Sequence, residues 1–195
     1  MTNIVQFAKS RYACCDARIW LDKMFQPSAK KVWDTCEDGD WLMWLLGEIE
    51  APMHYIISAS LVCVEAIEHL DKDGNAKKIN RLVRRYLSER TTASKVRTIA
   101  REVEGSSAMY GSVAESSCSM ARLVYGNFRH TDYNEYKDGP DVWAYDGVLT
   151  AAEDYQRYKK NYLSSKRLSK EFARRIRLTV PWEVVEKCLK KLSVE

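Results

Sequence analysis

Apolar residues recur along most of this chain at steps of three and four, the spacing that puts them on one face of an α-helix. A first short signal covers residues 4–11. In residues 16–25 the stripe is Ala17, Trp20, Leu21 and Met24, and in 27–36 it is Ala29, Val32, Trp33 and Cys36. Pro27 suits a first helical position, where its missing amide hydrogen would have no partner anyway. That helix is expected to stop at Glu37-Asp38-Gly39. Asp40 then reads as the cap of a further helix, whose run from Trp41 to Leu46 is apolar on every side and belongs at the centre of the fold. Pro52 opens a long helix over residues 53–70. Its β-branched content leaves a strand possible at 55–64, but Ala and Ser at every third or fourth place weigh against one. Asp71-Lys72-Asp73-Gly74-Asn75 has turn chemistry. Ile79, Leu82, Val83, Tyr86 and Leu87 then mark an amphipathic helix with Lys77, Lys78, Arg81, Arg84 and Arg85 on its outer face.

Between residues 92 and 125 the pattern changes character. Ser107, Gly111, Ala114, Cys118 and Ala121 place small residues on one helix face, which lets a neighbouring element approach closely; Trp41 and Trp44 are the large side chains expected to pack there. A break is expected near Gly105. From 127 to 147 the period is lost, and Asp132, Glu135, Asp138, Asp141 and Asp146 alternate with aromatics in a long loop. Thr150 with Glu153 matches a capping box for a helical region over residues 151–177, and Val180-Pro181 precedes a final amphipathic helix.

Composition supports the helical reading. The chain has 195 residues with 46% hydrophobic content, only 8 glycines and 4 prolines, too little punctuation for a turn-rich sandwich or barrel. A chain of this size buries roughly 70% of its extended surface, enough for one core. The expected architecture is therefore all-α: one compact multi-helix domain over 1–195, with a central apolar helix, small-residue helix packing and an acidic-aromatic loop at about 127–147. The longest apolar run is too short to span a bilayer. Residues 1–11 lack a leader's pattern, and six cysteines without a CxxC pair fit a reducing compartment, so a cytoplasmic protein is expected. The net charge is +4, but it is segregated: residues 1–75 are acidic and residues 76–195 basic.

One resemblance covers most of the chain. Ala13-Cys14 with Ala17 and Trp20-Leu21, then Trp33-x-x-Cys36-x-x-Gly39-Asp40-Trp41-Leu42-x-Trp44-Leu45, and later Phe172-Ala173-x-x-Ile176 before Pro181 and Val184, resemble a family of uncharacterised proteins from bacteriophages and bacteria. The specific part is residues 33–45. The chain departs from the family where its middle helices carry Ser, Met and Val in place of dense alanine, and in its longer segment at 127–146. The resemblance implies an all-helical fold and, if the chain is phage-encoded, an accessory protein in the host cytoplasm that contacts host machinery; it implies no activity.

Candidate chemistry is sparse. Trp33, Trp41 and Trp44 suit a core or an aromatic pocket, with the core favoured. Cys14, Cys15 and Cys36 lack the converging ligands of a zinc site, and Glu65 with His69 lacks a second histidine at metal spacing. Ser106, Ser107, Ser116 and Ser117 lack a nucleophile elbow. No metal, cofactor or catalytic residue is assigned, and a hydrolase built on Asp40, Glu65 and His69 ranks last. The first expectation is a non-enzymatic protein that binds another protein through Tyr133, Tyr136, Trp143 and Tyr145, aromatics set among charges as in interface hot spots. The second is nucleic-acid binding by a basic helix carrying Lys159, Lys160, Lys166, Arg167, Lys170, Arg174, Arg175 and Arg177, with Glu171 its one acid between residues 157 and 177. A solvated face that balances the acidic first third is the plainer account of the same charges.

Overall fold

A computed structural model describes residues 3–105, 113–125 and 162–192. These form ten α-helices and one 3-10 turn, with no strand among the described residues. In order they are α1 (Ile4–Ser10), α2 (Cys15–Lys23), α3 (Ala29–Thr35), α4 (Gly39–Glu48), α5 (Met53–Ile67) with the 3-10 turn Glu68–Leu70, α6 (Asn75–Leu87), α7 (Ala93–Glu104), α8 (Val113–Tyr125), α9 (Tyr162–Thr179) and α10 (Trp182–Leu192). The expected all-α class is what forms, and residues 55–64 are helical. No helix among the described residues is long and apolar enough to cross a membrane.

Helix starts follow from short polar side chains that accept otherwise unpaired backbone amides. Asn3 Oδ1 accepts from the amides of Val5 and Gln6, Ser28 Oγ from Lys31, and Thr92 Oγ1 from Lys95. Two of the expected starts are corrected. Asp38 Oδ1, not Asp40, caps α4, at 3.0 Å from the Asp40 amide and 3.2 Å from that of Trp41. Ser28 takes the cap of α3, so Pro27 lies ahead of the helix instead of at its first position. In both cases a side-chain oxygen one or two residues away accepts the free amides.

The central place belongs to α5 instead of α4. It packs against α4, α6, α8 and α9, and Ile56, Ile57, Ala59, Leu61, Cys63, Val64 and Ile67 are all buried. Two groups share it: α6, α7 and α8 on one side, α4 and α9 on the other. α1 pairs with α2, and α10 rests on α3. The expected packing of Trp41 and Trp44 against the small-residue helix is also corrected. α8 packs chiefly on α5, α6 and α7, whereas α4 packs on α9 and α5. On α8, Ala114, Cys118 and Ala121 are buried, and Cys118 Sγ lies 3.8 Å from the Ala100 carbonyl oxygen of α7; Ser107 and Gly111 lie outside the described residues.

The close approach that α4 does use is at Gly39. A Cβ built there would stand 2.6 Å from the Phe172 Cβ of α9, and the Gly39 amide donates to Ser169 Oγ at 3.2 Å. Removing one side chain lets the start of α4 sit directly on α9. Trp33 is buried in the core, while Trp41 and Trp44 are half-buried at its margin. Trp41 meets Trp20 with ring centroids 5.7 Å apart at a tilt of 52°, a favourable arrangement of aromatic quadrupoles.

Candidate nucleic-acid interface

The helices α6 and α7 form a hairpin whose buried side is set by periodicity. Ala76, Ile79 and Val83 of α6 and Val96, Ala100 and Val103 of α7 are buried. At 3.6 residues per turn, Lys77, Lys78, Arg81, Arg84 and Arg85 fall within an arc of about 120° on the opposite side of α6. All five are exposed, and so are Lys95, Arg97 and Arg101 of α7. Residues 75–104 hold nine cations and three acids. One of those acids, Glu102, pairs with Lys78 at 3.7 Å, and another, Glu104, pairs with Arg122 of α8 at 3.0 Å.

Between the two helices is a depression of about 330 Å³ lined by Gly74, Lys77, Lys78, Arg81, Leu82, Lys95 and Ile99. Gly74 takes a left-handed conformation (φ 73°) that turns the chain into α6 without a large strain. Leu82 and Ile99 are half-buried beneath the cations. Among the described residues, Lys77, Arg81 and Lys95 have no carboxylate within ion-pair distance. Arg84 is not equivalent to them: it is bound to Glu65 of α5, which holds its guanidinium above its ordinary pKa. The outer cations of α6 are legible in the sequence, whereas the nucleic-acid expectation rests on the denser run in residues 157–177.

Among the described residues of that run, Arg175 and Arg177 are engaged inside the fold, and Lys170 and Arg174 in ion pairs at its surface. Arg177 Nη1 donates to the carbonyl oxygens of Cys36 at 2.5 Å and Trp33 at 3.3 Å. Arg175 donates to Glu171 and to the Val62 carbonyl oxygen, and Arg174 grips Glu171 through two nitrogens. Lys170 meets Glu37 at 2.7 Å. The hydrogen bonds from Arg174, helped by Arg175 and opposed by partial burial, hold the Glu171 carboxyl down at about 2. Lys166 and Arg167 remain exposed; Lys159 and Lys160 lie outside the described residues, as do Tyr133, Tyr136, Trp143 and Tyr145.

The other candidates do not assemble. Glu65 faces Arg84 of α6, whereas the charge of Asp40 is felt at Cys63 between α4, α5 and α9. Burial pushes the Cys36 and Cys118 thiols up to about 12 and Cys63 well above its ordinary value, so none is a thiolate at neutral pH. Cys14 and Cys15 are exposed, and Cys14 Sγ serves as the acceptor at the start of α2. No group of three His, Cys, Asp or Glu suited to a metal occurs among the described residues.

A larger cleft of about 770 Å³ lies between α1, the α2–α3 connection and α10, with Val5, Leu21, Met24, Pro27, Trp182 and Leu189 in its wall. Its charges are paired locally, Lys30 with Asp34 and Lys190 with Glu186, and the Lys30 ammonium stands over the Trp182 ring at 5.7 Å. Asn3, Gln6, Asp22, Gln26 and Ser28 share its wall with two lysines and one further acid, so the cleft is polar and apolar by turns and carries no excess of one charge. The chain matches no family model, no curated protein and no solved structure.

Proposed function

We propose that this is a non-enzymatic binding protein whose α6–α7 face contacts the phosphate backbone of nucleic acid. The observation that carries this reading is the exposed basic face of those helices, where Lys77, Arg81 and Lys95 border one shallow depression without a described carboxylate partner. A phosphate oxyanion supplies the charge these groups lack, and its binding releases condensed counterions from the nucleic acid. The exposed ammonium and guanidinium groups lose little on docking, because each can keep part of its hydration beside a phosphate. Protein binding through residues 133–145 is the competing reading, and those residues lie outside the described set.

The test is a titration of the protein into fluorescently labelled nucleic acid at about 50 and 200 mM salt, because backbone binding weakens steeply over that range. Saturable binding that falls at least tenfold with salt supports the reading. Absent or salt-independent binding rejects it.

A further inference from the structure

We infer that the nucleic acid held by the α6–α7 face is a duplex, gripped by its phosphates without regard to base sequence. This rests on the function proposed above and narrows it. Proteins that hold single strands combine a basic groove with aromatic side chains on which bases stack. Within residues 75–104 the one aromatic is Tyr86, and it is half-buried against the core. This face has no stacking platform to offer.

Its geometry suits a backbone instead. Lys77, Arg81 and Arg85 follow one another at four-residue steps, so they rise about 6 Å each along α6. Lys95 and Arg101 belong to α7, and Lys95 closes the same depression from the other side. Its apolar lining is Leu82 and Ile99, aliphatic groups that neither donate nor accept hydrogen bonds and so offer a base edge no hydrogen-bond readout. A duplex also presents about one negative charge per 1.7 Å of axis, a denser array for two rows of cations than a flexible strand provides.

Other polyanionic partners fit less well. Docking on an anionic membrane would call for exposed apolar groups among the cations, yet the large exposed apolar residues Tyr12, Ile19, Phe25 and Leu178 all belong to other elements. Protein interfaces are anchored most often by aromatic groups at a dry centre, and the one aromatic of this face, Tyr86, is half-buried against the core.

The experiment compares fluorescence anisotropy of the full chain with a labelled duplex of about 24 base pairs, one of its strands alone, and a second duplex of scrambled sequence, at about 100 mM salt. The duplex is expected to bind at least tenfold more tightly than the strand, and the two duplexes to agree within about threefold. Lys77→Ala, Arg81→Ala and Lys95→Ala should each weaken duplex binding about tenfold and lower the log–log salt slope by about 1, as loss of one phosphate contact does. Arg18→Ala, an exposed cation on α2, should leave it unchanged. Circular dichroism of each variant separates lost contact from lost fold. A strand bound as tightly as the duplex overturns the inference while leaving the proposed function intact. Competition by polyglutamate equal to that of unlabelled duplex, or a tenfold preference between the two duplex sequences, also overturns it. Binding of neither duplex nor strand overturns both readings.

Discussion

The α6–α7 hairpin and α9 are both rich in cations, yet the fold uses the two sets in opposite ways. On α9, Arg177 reaches the backbone carbonyls of Cys36 and Trp33, Arg175 reaches that of Val62, and Lys170 reaches Glu37. These cations hold the end of α3, the start of α4 and the side of α5 against one helix. On α6 and α7 the corresponding groups are exposed, and of the four that line the depression only Lys78 has a described acid partner, Glu102. A cation that satisfies a buried carbonyl is structural. One with no carboxylate within ion-pair distance is left for an external anion to neutralise.

The comparison can be broken most forcefully from inside α9. Phe172 is fully buried where Gly39 lets α4 approach, so Phe172→Ala should cost about 3–5 kcal/mol, read as a fall in the urea midpoint. Next in size, Arg177→Ala should cost about 2 kcal/mol, because the Cys36 and Trp33 carbonyls lose a charged donor; Arg81→Ala in the same assay should stay within about 0.5 kcal/mol. If the two arginine variants lost equal stability, the distinction between the helices would fail.

The smallest effect sharpens the comparison through pH. The Glu171 carboxyl is held at about 2 against an ordinary value of 4.5. A folded-state value below the unfolded one means that its stabilisation is complete above pH 4.5 and is lost as pH falls towards 2. Glu171→Gln should remove that part of the acid sensitivity. The difference should stay under about 1 kcal/mol, since the Glu171 side chain and its partners are at least one-third exposed. Denaturant melts at pH 5 and 3 measure it; a variant as acid-sensitive as the parent would leave Glu171 without the role assigned to it.

Much of the fold was legible because it is local. The stripe Ile79, Leu82, Val83 and Tyr86 announced α6 and, by exclusion, its outer cations. Asp71 to Asn75 announced the turn before it, and Val180-Pro181 the break between α9 and α10. Legibility failed where two local solutions competed, as between Asp38 and Asp40 for the cap of α4, or where the partner was remote in sequence. Size alone matches Trp41 and Trp44 to the small residues of α8, but size complementarity does not say which helices become neighbours. Gly39 gave a signal that could have been used: a glycine in the first turn of an otherwise bulky helix marks a place where another backbone comes close.

By itself the sequence determined the helical class, most helix limits and the presence of two basic stretches, because hydrophobic period, capping and charge density are written over neighbouring residues. Which cations of each stretch meet partners follows from packing between distant segments. Glu37 and Lys170, or Cys36 and Arg177, are more than 130 residues apart, and no local pattern encodes their meeting. Ion pairing and carbonyl capture depend on distance in space, so the packing of α9 on α4 and α5 engages Lys170, Arg175 and Arg177, while Lys77, Arg81 and Lys95 keep no described carboxylate partner.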